Sequence, residues 1–422
     1  YSGRGIRRVY VSRFATTGTR GDPMRGAAAI AQGTAWQDAL TELVRQLERV
    51  TTGEDVVTLA LLFASPDYQD GFVPLVEEAR KVTGARTLIG CSGQGIIGMD
   101  REIEGEPAIS LMTLSLPGAD LRSFHLNREE IERNHTAEDW HRSTGVGPGE
   151  VNAWLIFADP FSLDAEGLVD RISAAYPGTP MIGGLASGDP QVQRTHLFLD
   201  GQVFDQGVVA LALCGSYTVR TVVSQGASPI GETWAITAAE GNVIRTIAGR
   251  PAYEVLMETV QSLPPELNQR ARTNLLVGLA MNEYREDFRR GDFLIRNLLG
   301  VDQASGALAV GAVVRVGQTI QFQLRDPAAA DEDLRELLGR AAAELAGQEP
   351  IGALLCSCNG RGVGLFSTPN HDAAAMSELM GPIPVSGFFC NGEIGPVGPQ
   401  NFLHGFTASI AMIVPKEPIV RG

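Results

Sequence analysis

The sequence predicts an α/β protein of repeated β-strand–helix–β-strand (βαβ) units with added antiparallel hairpins, arranged as two pseudo-related domains packed through their sheets. Apolar runs at residues 59–66, 154–160 and 353–359 each lead through a helix-like stretch to a second apolar run that ends in glycines. The spacing within each pair is close to the ~30 residues that a βαβ unit needs. Beyond each glycine run, apolar and β-branched residues follow in a hairpin-like pattern.

The first predicted element is an amphipathic helix at residues 35–50. Its apolar side chains recur at offsets of three and four, the spacing of one helix face. The first two βαβ units follow, each with a crossover helix, at residues 72–83 and 165–176. Between them, residues 127–150 carry little apolar periodicity, and we expect a loop there inside the first domain.

A proline marks the predicted start of the second domain. Pro251 suits the first turn of a helix at residues 251–260, because its missing N–H is not needed there. We therefore place one domain at residues 1–250, including the N-terminal helix, and the other at residues 251–422. The second domain begins with a weaker, fourth copy of the repeat from residue 275 and ends with the third complete unit.

Composition excludes several classes of protein. The 422 residues include 34 Lys plus Arg and 49 Asp plus Glu, a net charge of −15, so we expect no nucleic-acid partner. Apolar runs fall far short of the ~18 residues of a membrane span. The five cysteines are odd in number, which favours free thiols in a reducing compartment, and we expect a cytoplasmic location.

Several motifs together resemble one known family. The runs LIGCSGQGIIG (residues 88–98) and DGQVFDQGVVA (residues 200–210) resemble the FIST N-terminal domain, and FLIRNLLGVD (residues 293–302) resembles the start of the FIST C-terminal domain. The stretches at residues 385–395 and 403–407 complete a resemblance that extends from about residue 25 to 415. Only eight residues follow residue 414, so we expect a stand-alone member that signals through a separate partner protein.

The resemblance implies a function in signal transduction. FIST domains are described as sensory, ligand-binding modules, and amino acids have been suggested as their ligands. We therefore expect a cytoplasmic sensory domain that binds a small, anionic or amino-acid-like ligand, and we do not expect an enzyme. A protein–protein adaptor or scaffold and a haem-dependent nitric-oxide sensor stay open as alternatives, as does a thiol-dependent enzyme using Cys358 or Cys390. The oligomeric state is also open.

The glycine-rich strand ends are the predicted ligand site. Ligands of α/β sheets collect outside the carboxyl ends of strands, and uncovered main-chain N–H groups in such loops can hold an anion. Arg361, on a fourth glycine-rich loop, is expected to hold a carboxylate with two parallel hydrogen bonds. No catalytic residue, metal or cofactor is expected, with haem as the open alternative. The predicted ligand-binding residues are Cys91, Ser92, Gly93, Gln94, Ser187, Gly188, Asp189, Cys358, Asn359, Gly360, Arg361, Cys390, Asn391, Gly392 and Glu393.

Overall fold

The structure of the protein is a computed structural model that describes residues 25–48, 56–189, 191–285 and 287–416. The last two residues of the helix predicted at 35–50 lie outside these ranges. Within them, no helix combines the length and the apolar character that crossing a bilayer requires.

The described residues form 25 strands, ten α-helices and one 3₁₀ turn. The strands are β1 (Arg25–Gln32), β2 (Leu59–Ala64), β3 (Thr87–Ser92), β4 (Gly95–Gly98), β5 (Arg101–Glu104), β6 (Ala108–Ser115), β7 (Ala119–Leu126), β8 (Val151–Ala158), β9 (Met181–Leu185), β10 (Leu197–Leu199), β11 (Gln202–Phe204), β12 (Val208–Gly215), β13 (Tyr217–Gln225), β14 (Ala227–Glu240), β15 (Val243–Ile247), β16 (Arg250–Pro251), β17 (Leu275–Ala280), β18 (Phe293–Asp302), β19 (Ala307–Val310), β20 (Thr319–Arg325), β21 (Gly352–Cys358), β22 (Val385–Cys390), β23 (Glu393–Val397), β24 (Gln400–His404) and β25 (Thr407–Pro415). The helices are α1 (Trp36–Glu48), α2 (Phe72–Thr83), α3 (Arg128–Arg133), α4 (Ala137–Thr144), α5 (Ala165–Ala175), α6 (Ala252–Gln261), α7 (Pro265–Asn274), α8 (Pro327–Glu344), α9 (Val363–Phe366) and α10 (His371–Met380), and a 3₁₀ turn spans Pro66–Gly71.

The chain divides into two compact units. Among the described residues, those within 25–223, 335–403 and 408–416 form unit 1, and those within 224–334 and 404–407 form unit 2. These units group segments by their proximity in space, whereas the domains predicted at residues 1–250 and 251–422 are continuous in sequence. That sequence division stays a prediction.

Unit 1 contains three modules with one order of elements: module A (residues 59–115), module B (residues 151–215) and module C (residues 352–415). In each module two parallel strands flank a helical crossover: β2 with β3, β8 with β9, and β21 with β22. A hairpin follows, and the last strand returns antiparallel to the first. The predicted α/β class, with repeated βαβ units and added hairpins, is confirmed.

The hairpin of each module pairs with the sheet of another module. The strand β10 of module B pairs with β3 of module A, β23 of module C pairs with β9 of module B, and β4 of module A pairs with β22 of module C. The exchange is cyclic and produces three six-stranded sheets. Since each hairpin starts where a second parallel strand ends, the exchange brings the three glycine-rich strand ends together.

The two faces of the parallel strands explain their continuous apolar character. In β2, Leu61 and Phe63 belong to the large inner core of unit 1, while Ala60 and Leu62 pack on the side of α1 and α2. Successive side chains of a strand point to opposite faces, so a strand covered on both sides has no polar positions.

The predicted loop at residues 127–150 is wrong, because it contains the two short helices α3 and α4. Both begin with a capping box, in which two side chains satisfy the first free N–H groups of the helix. Asn127 and Glu130 form the first box, and Thr136 and Asp139 form the second. These pairs at a spacing of three residues were readable in the sequence, whereas helices this short offer almost no periodicity.

Unit 2 is a closed β-barrel rather than a fourth βαβ unit. Its strands pair in the order β14, β20, β17, β18, β19 and β15, and β15 pairs again with β14. The predicted fourth copy is wrong because β17 pairs antiparallel with both neighbours, β18 and β20. An apolar run at Leu275–Ala280 indicates a buried strand, but it does not tell a parallel neighbour from an antiparallel one.

Candidate functional site

The glycine-rich strand ends of unit 1 are joined by hydrogen bonds. The N–H of Leu185 in module B donates to Gly392 O of module C at 2.8 Å, and the N–H of Asn391 donates back to Leu185 O at 3.1 Å. The N–H of Ser187 donates to Ser92 O of module A at 3.1 Å. The predicted convergence of the three loops is therefore present in the structure.

One hydroxyl links all three loops. Ser187 Oγ of module B accepts the N–H of Gln94 at 2.7 Å and donates to Phe389 O of module C at 2.5 Å. The hydroxyl of Ser92 donates to Ser187 O at 2.9 Å. Since Ser92 and Ser187 are fully buried, these bonds fix the loops to one another.

The expectation that these loops leave main-chain N–H groups uncovered is wrong for Gln94, Ser187 and Asn391, whose N–H groups donate to neighbouring loops. The space beneath the loops is also filled, because the ring of Phe63 stacks on Phe388 with centroids 4.9 Å apart and meets Phe157 edge-on at 5.3 Å. The glycines here permit close packing, since a Cβ added at Gly93 would lie 2.7 Å from Phe388 Cβ.

The predicted site residues lie at different depths. Asp189 and Asn391 are exposed, and Gln94, Cys358, Asn359 and Gly360 are half-buried. The buried ones are Cys91, Ser92, Gly93, Ser187, Gly188, Arg361, Cys390, Gly392 and Glu393. The loop at residues 358–361 joins the convergent loops, because the N–H of Asn359 donates to Cys390 O at 3.0 Å and Asn359 Nδ2 donates to Asn391 Oδ1 at 2.8 Å. Their part in ligand binding stays a prediction.

Arg361 is buried and already holds a carboxylate of the protein. Its Nε donates to Asp372 Oδ2 at 2.7 Å, its Nη2 donates to Asp372 Oδ1 at 2.8 Å, and both side chains are 1% exposed. The predicted bidentate pair thus forms with an internal partner at the start of α10. The third nitrogen, Arg361 Nη1, is buried and has no hydrogen-bond partner within the described ranges.

Asp372 is held as an anion by its surroundings. Ser357 Oγ donates to Asp372 Oδ2 at 2.8 Å, and His371 Nδ1 lies 3.0 Å from Asp372 Oδ1. Burial by itself would raise the pKa of Asp372, but Arg361 and then His371 hold the pKa of this carboxyl well below its ordinary value. Arg361 and Asp372 therefore form a buried ion pair with further hydrogen bonds, the arrangement in which buried charges are tolerated.

A second carboxyl, that of Glu102 on β5, lies beside this ion pair. Glu102 Oε1 accepts the N–H of Ala373 in the first turn of α10 at 2.9 Å, while its buried Oε2 has no partner among the described residues. Burial first, and then the charge of Asp372, raise the pKa of Glu102 to about 8. Glu102 is therefore protonated at neutral pH, and the cluster holds one cation, one anion and one neutral acid.

This raised pKa predicts a pH dependence of stability that Glu102→Gln removes. From about pH 5 to about pH 8, folded Glu102 keeps a proton that the unfolded chain releases, so the free energy of unfolding falls as pH rises through this window. Glu102→Gln should flatten the decline and make the protein more stable than wild type at pH 8. Urea unfolding of both proteins at several pH values measures the difference. If the free energy of unfolding depends on pH in the same way for both proteins, the pKa of Glu102 is not raised in the folded state.

A short segment, residues 362–370, covers the buried cluster. Phe366 lies over the guanidinium with its ring centroid 5.2 Å from Arg361 Cζ, and it stacks on His371 at a centroid distance of 3.3 Å. The backbone has φ of +58° at both Gly362 and Ser367 and of +66° at Asn370. Positive φ is costly for Ser and Asn, and such strain is concentrated in binding and switching segments. We call residues 362–370 the cover.

Three members of this cluster were not predicted from the sequence: Glu102, Phe366 and Asp372. Asp372 stands in the first turn of α10, and acidic residues are common at helix starts. Glu102 comes from module A. Its neighbour Glu104 accepts the N–H of Val363 in the cover, although 259 residues separate these two in sequence. No local signal in the sequence marks such a pairing.

These features define the class of protein as an α/β protein with three exchanged modules, a β-barrel unit and a buried polar cluster beneath a short cover. The FIST N domain family matches residues 58–250, and the FIST C domain family matches residues 252–396. The chain therefore belongs to the FIST family, and the predicted resemblance is confirmed. FIST domains are associated with sensory signalling.

Related proteins extend over most of the chain. An uncharacterised protein of Mycobacterium tuberculosis is 40% identical over 365 residues, which cover 84% of this chain and 91% of that protein. An uncharacterised protein of Mycobacterium bovis is 37% identical over 387 residues, covering 90% and 96%. Among solved structures, a cyanuric acid hydrolase from A. caulinodans aligns over 93% of this chain and 100% of its own, at 9% identity and a TM-score of 0.31, too low to define a shared fold.

Proposed function

We propose that this protein is a sensory module that binds a small amino-acid-like ligand at the buried cluster of Arg361, Asp372 and Glu102, and that it signals occupancy to a separate partner protein. The observation that carries the proposal is the pair of buried polar atoms, Arg361 Nη1 and Glu102 Oε2, that lack partners within the described ranges. A buried polar group without a hydrogen bond costs about 1–3 kcal/mol, which a ligand that supplies the bond recovers.

The charges of the cluster favour a zwitterion over a simple anion. The cluster contains one guanidinium, on Arg361, and the carboxyl groups of Asp372 and Glu102, with Glu104 on the same strand. A phosphate or a dicarboxylate would be repelled by Asp372, which is ionised. An amino acid brings a carboxylate that can accept from Arg361 Nη1 and an ammonium group that can donate to a glutamate.

Movement of the cover would carry the effect of ligand binding from the buried cluster to the protein surface. Arg361 is 1% exposed, so a ligand reaches it only when Phe366 moves away from the guanidinium. Val363, at the start of α9, is 46% exposed. Displacement of the cover therefore alters a surface that a partner can contact, without a change in the sheets beneath. Ligand selection of an open form of this segment is a population shift between two states.

Isothermal titration calorimetry tests the proposal. Pools of the common amino acids are titrated into the purified protein, with inorganic phosphate and acetate as comparison ligands. We expect saturable heat from at least one amino acid and none from phosphate. Arg361→Lys keeps the positive charge but removes the planar guanidinium that can donate several hydrogen bonds in fixed directions. This substitution should weaken ligand binding at least ~10-fold.

The matched control is Arg335→Ala, which removes an exposed arginine of the same unit that pairs with Glu378. This variant should bind with the affinity of wild type. Circular dichroism establishes that Arg361→Lys is folded before its affinity is compared. Absence of heat from every amino acid, or wild-type affinity of Arg361→Lys, would remove the cluster as the ligand site.

A protein–protein adaptor is the second candidate function, and exposed apolar side chains in unit 2 favour it. Tyr284 is 97% exposed, Val313 77%, Val316 61% and Leu299 60%. Apolar side chains of this size on a surface are typical of contact with other proteins when they are contiguous. An adaptor would use exposed side chains such as these without any small ligand.

A further inference from the structure

Two cysteines stand directly opposite each other on neighbouring strands of module C. Cys358 is the last residue of β21 and Cys390 is the last residue of β22, and the parallel register pairs them. Paired residues of adjacent strands point to the same face of the sheet. Adjacent strands lie about 4.8 Å apart, within the Cα separation of about 4.4–6.8 Å that disulfides bridge.

The two thiols have complementary surroundings. Cys390 is fully buried, and its Sγ lies 3.2 Å from each of two acceptors, Ser357 O and Glu393 Oε1. Burial first, and then the carboxyl of Glu393, raise the pKa of Cys390 well above its ordinary value, so this thiol keeps its proton. Cys358 is half-buried and its Sγ accepts the N–H of Gly360 at 3.4 Å. The residue that carries the outer thiol is partly exposed, and the inner thiol has a proton acceptor in contact.

We propose that Cys358 and Cys390 form an oxidative modification site, in which a hydroperoxide oxidises Cys358 and Cys390 resolves the product as a disulfide. This proposal does not rest on the proposed ligand. Oxidation would act close to the proposed ligand site, because Cys358 lies three positions before Arg361 in the sequence.

The oxidation of the two thiols proceeds in two steps. The sulfur of Cys358 attacks the terminal peroxide oxygen, the O–O bond breaks, and the thiol proton leaves with the alkoxide as an alcohol. Cys358 is then a sulfenic acid. The sulfur of Cys390 attacks the sulfur of Cys358, its proton passes to Glu393, and the S–O bond breaks with loss of hydroxide, which takes up that proton as water. Two thiols lose two electrons in total, and the peroxide gains them.

The local backbone allows the two sulfurs to approach. Cys358 is followed by glycines at 360 and 362, so the end of β21 can shift without steric conflict. Gly184 of module B allows close packing against the inner thiol, because a Cβ added there would lie 3.1 Å from Cys390 Sγ. The closest competitor is Cys356, which alternation places on the same face of β21 as Cys358 but which is fully buried.

Mass spectrometry of the full chain tests the proposal. The protein is treated with hydrogen peroxide at neutral pH, its free thiols are alkylated with iodoacetamide, and it is digested with trypsin. Cleavage after Arg361 separates the peptide that carries Cys356 and Cys358 from the peptide that carries Cys390. We expect these two peptides to be linked and two thiols per chain to escape alkylation.

Variants identify the linked residues. Cys358→Ser should abolish the link and leave Cys390 reduced, whereas the matched control Cys356→Ser should keep it. Glu393→Gln should slow disulfide formation at least ~10-fold while dimedone traps the Cys358 sulfenic acid at the wild-type rate. A link that persists in Cys358→Ser, or oxidation of Cys358 to a sulfinic acid with Cys390 still alkylated, would overturn the proposal. If a variant folds poorly, the presence or absence of linked peptides from the wild-type protein still tests the proposal.

Discussion

Arg361→Ala should lower the free energy of unfolding by about 3–5 kcal/mol, because it leaves the Asp372 carboxylate buried without its cation. Asp372 would keep the hydroxyl of Ser357 at 2.8 Å and His371 at 3.0 Å, but it would lose both guanidinium bonds. Urea unfolding followed by circular dichroism at pH 7 measures the loss. The sequence alone predicts Arg361 as a ligand-binding residue, so this measurement shows whether Arg361 also stabilises the fold.

Two controls make the result specific to the buried pair. Arg335→Ala removes an exposed ion pair with Glu378, whose side chains are 40% and 62% exposed, and should cost less than about 1 kcal/mol. The double variant Arg361→Met with Asp372→Leu removes both charges and fills similar volume, so it should recover most of the stability lost in Arg361→Ala. If Arg361→Ala costs no more than Arg335→Ala, the ion pair does not stabilise unit 1.

The βαβ modules were predictable because their signals are local. An apolar run, a helix of about three turns and a second apolar run ending in glycines lie within some 30 residues of one another, and β2–α2–β3 follows this order closely. The predicted helix at the domain boundary also corresponds to α6, which begins at Ala252 directly after Pro251. In both cases each residue's neighbours in sequence are its neighbours in the fold.

The candidate site could not be predicted to the same degree, because its members come from distant segments. Glu102 reaches the start of α10 only because module A lends its hairpin to the sheet of module C. A strand's partner is set by long-range packing and register, which no local pattern encodes. Arg361 was identified from its glycine-rich loop, but its partner Asp372 looks like any other acidic residue at a helix start.

One glycine inside the second parallel strand of each module packs against the strand beside it. Gly90, Gly183 and Gly387 each lie inside a strand and face the strand paired with it. A Cβ at these positions would lie 1.7, 1.8 and 1.8 Å from the carbonyl oxygens of Leu62, Ile156 and Leu355, respectively. The same close approach recurs in all three modules, so these glycines serve packing between strands.

Gly387→Ala should therefore destabilise the protein by at least ~3 kcal/mol, the upper end of the range for overpacked cores, because the obstructing atom belongs to the backbone and has no rotamer to change. The added methyl group must push β22 away from β21 at Leu355, within the sheet that carries Cys358 and Cys390. Urea unfolding measures the loss of stability. Gly339→Ala in α8 is the matched control, since a Cβ there meets nothing within 4 Å and a helical alanine should stabilise by about 0.5–1 kcal/mol. Opposite signs for the two substitutions are the expected result, and a tolerated Gly387→Ala would mean that the strands can separate at little cost.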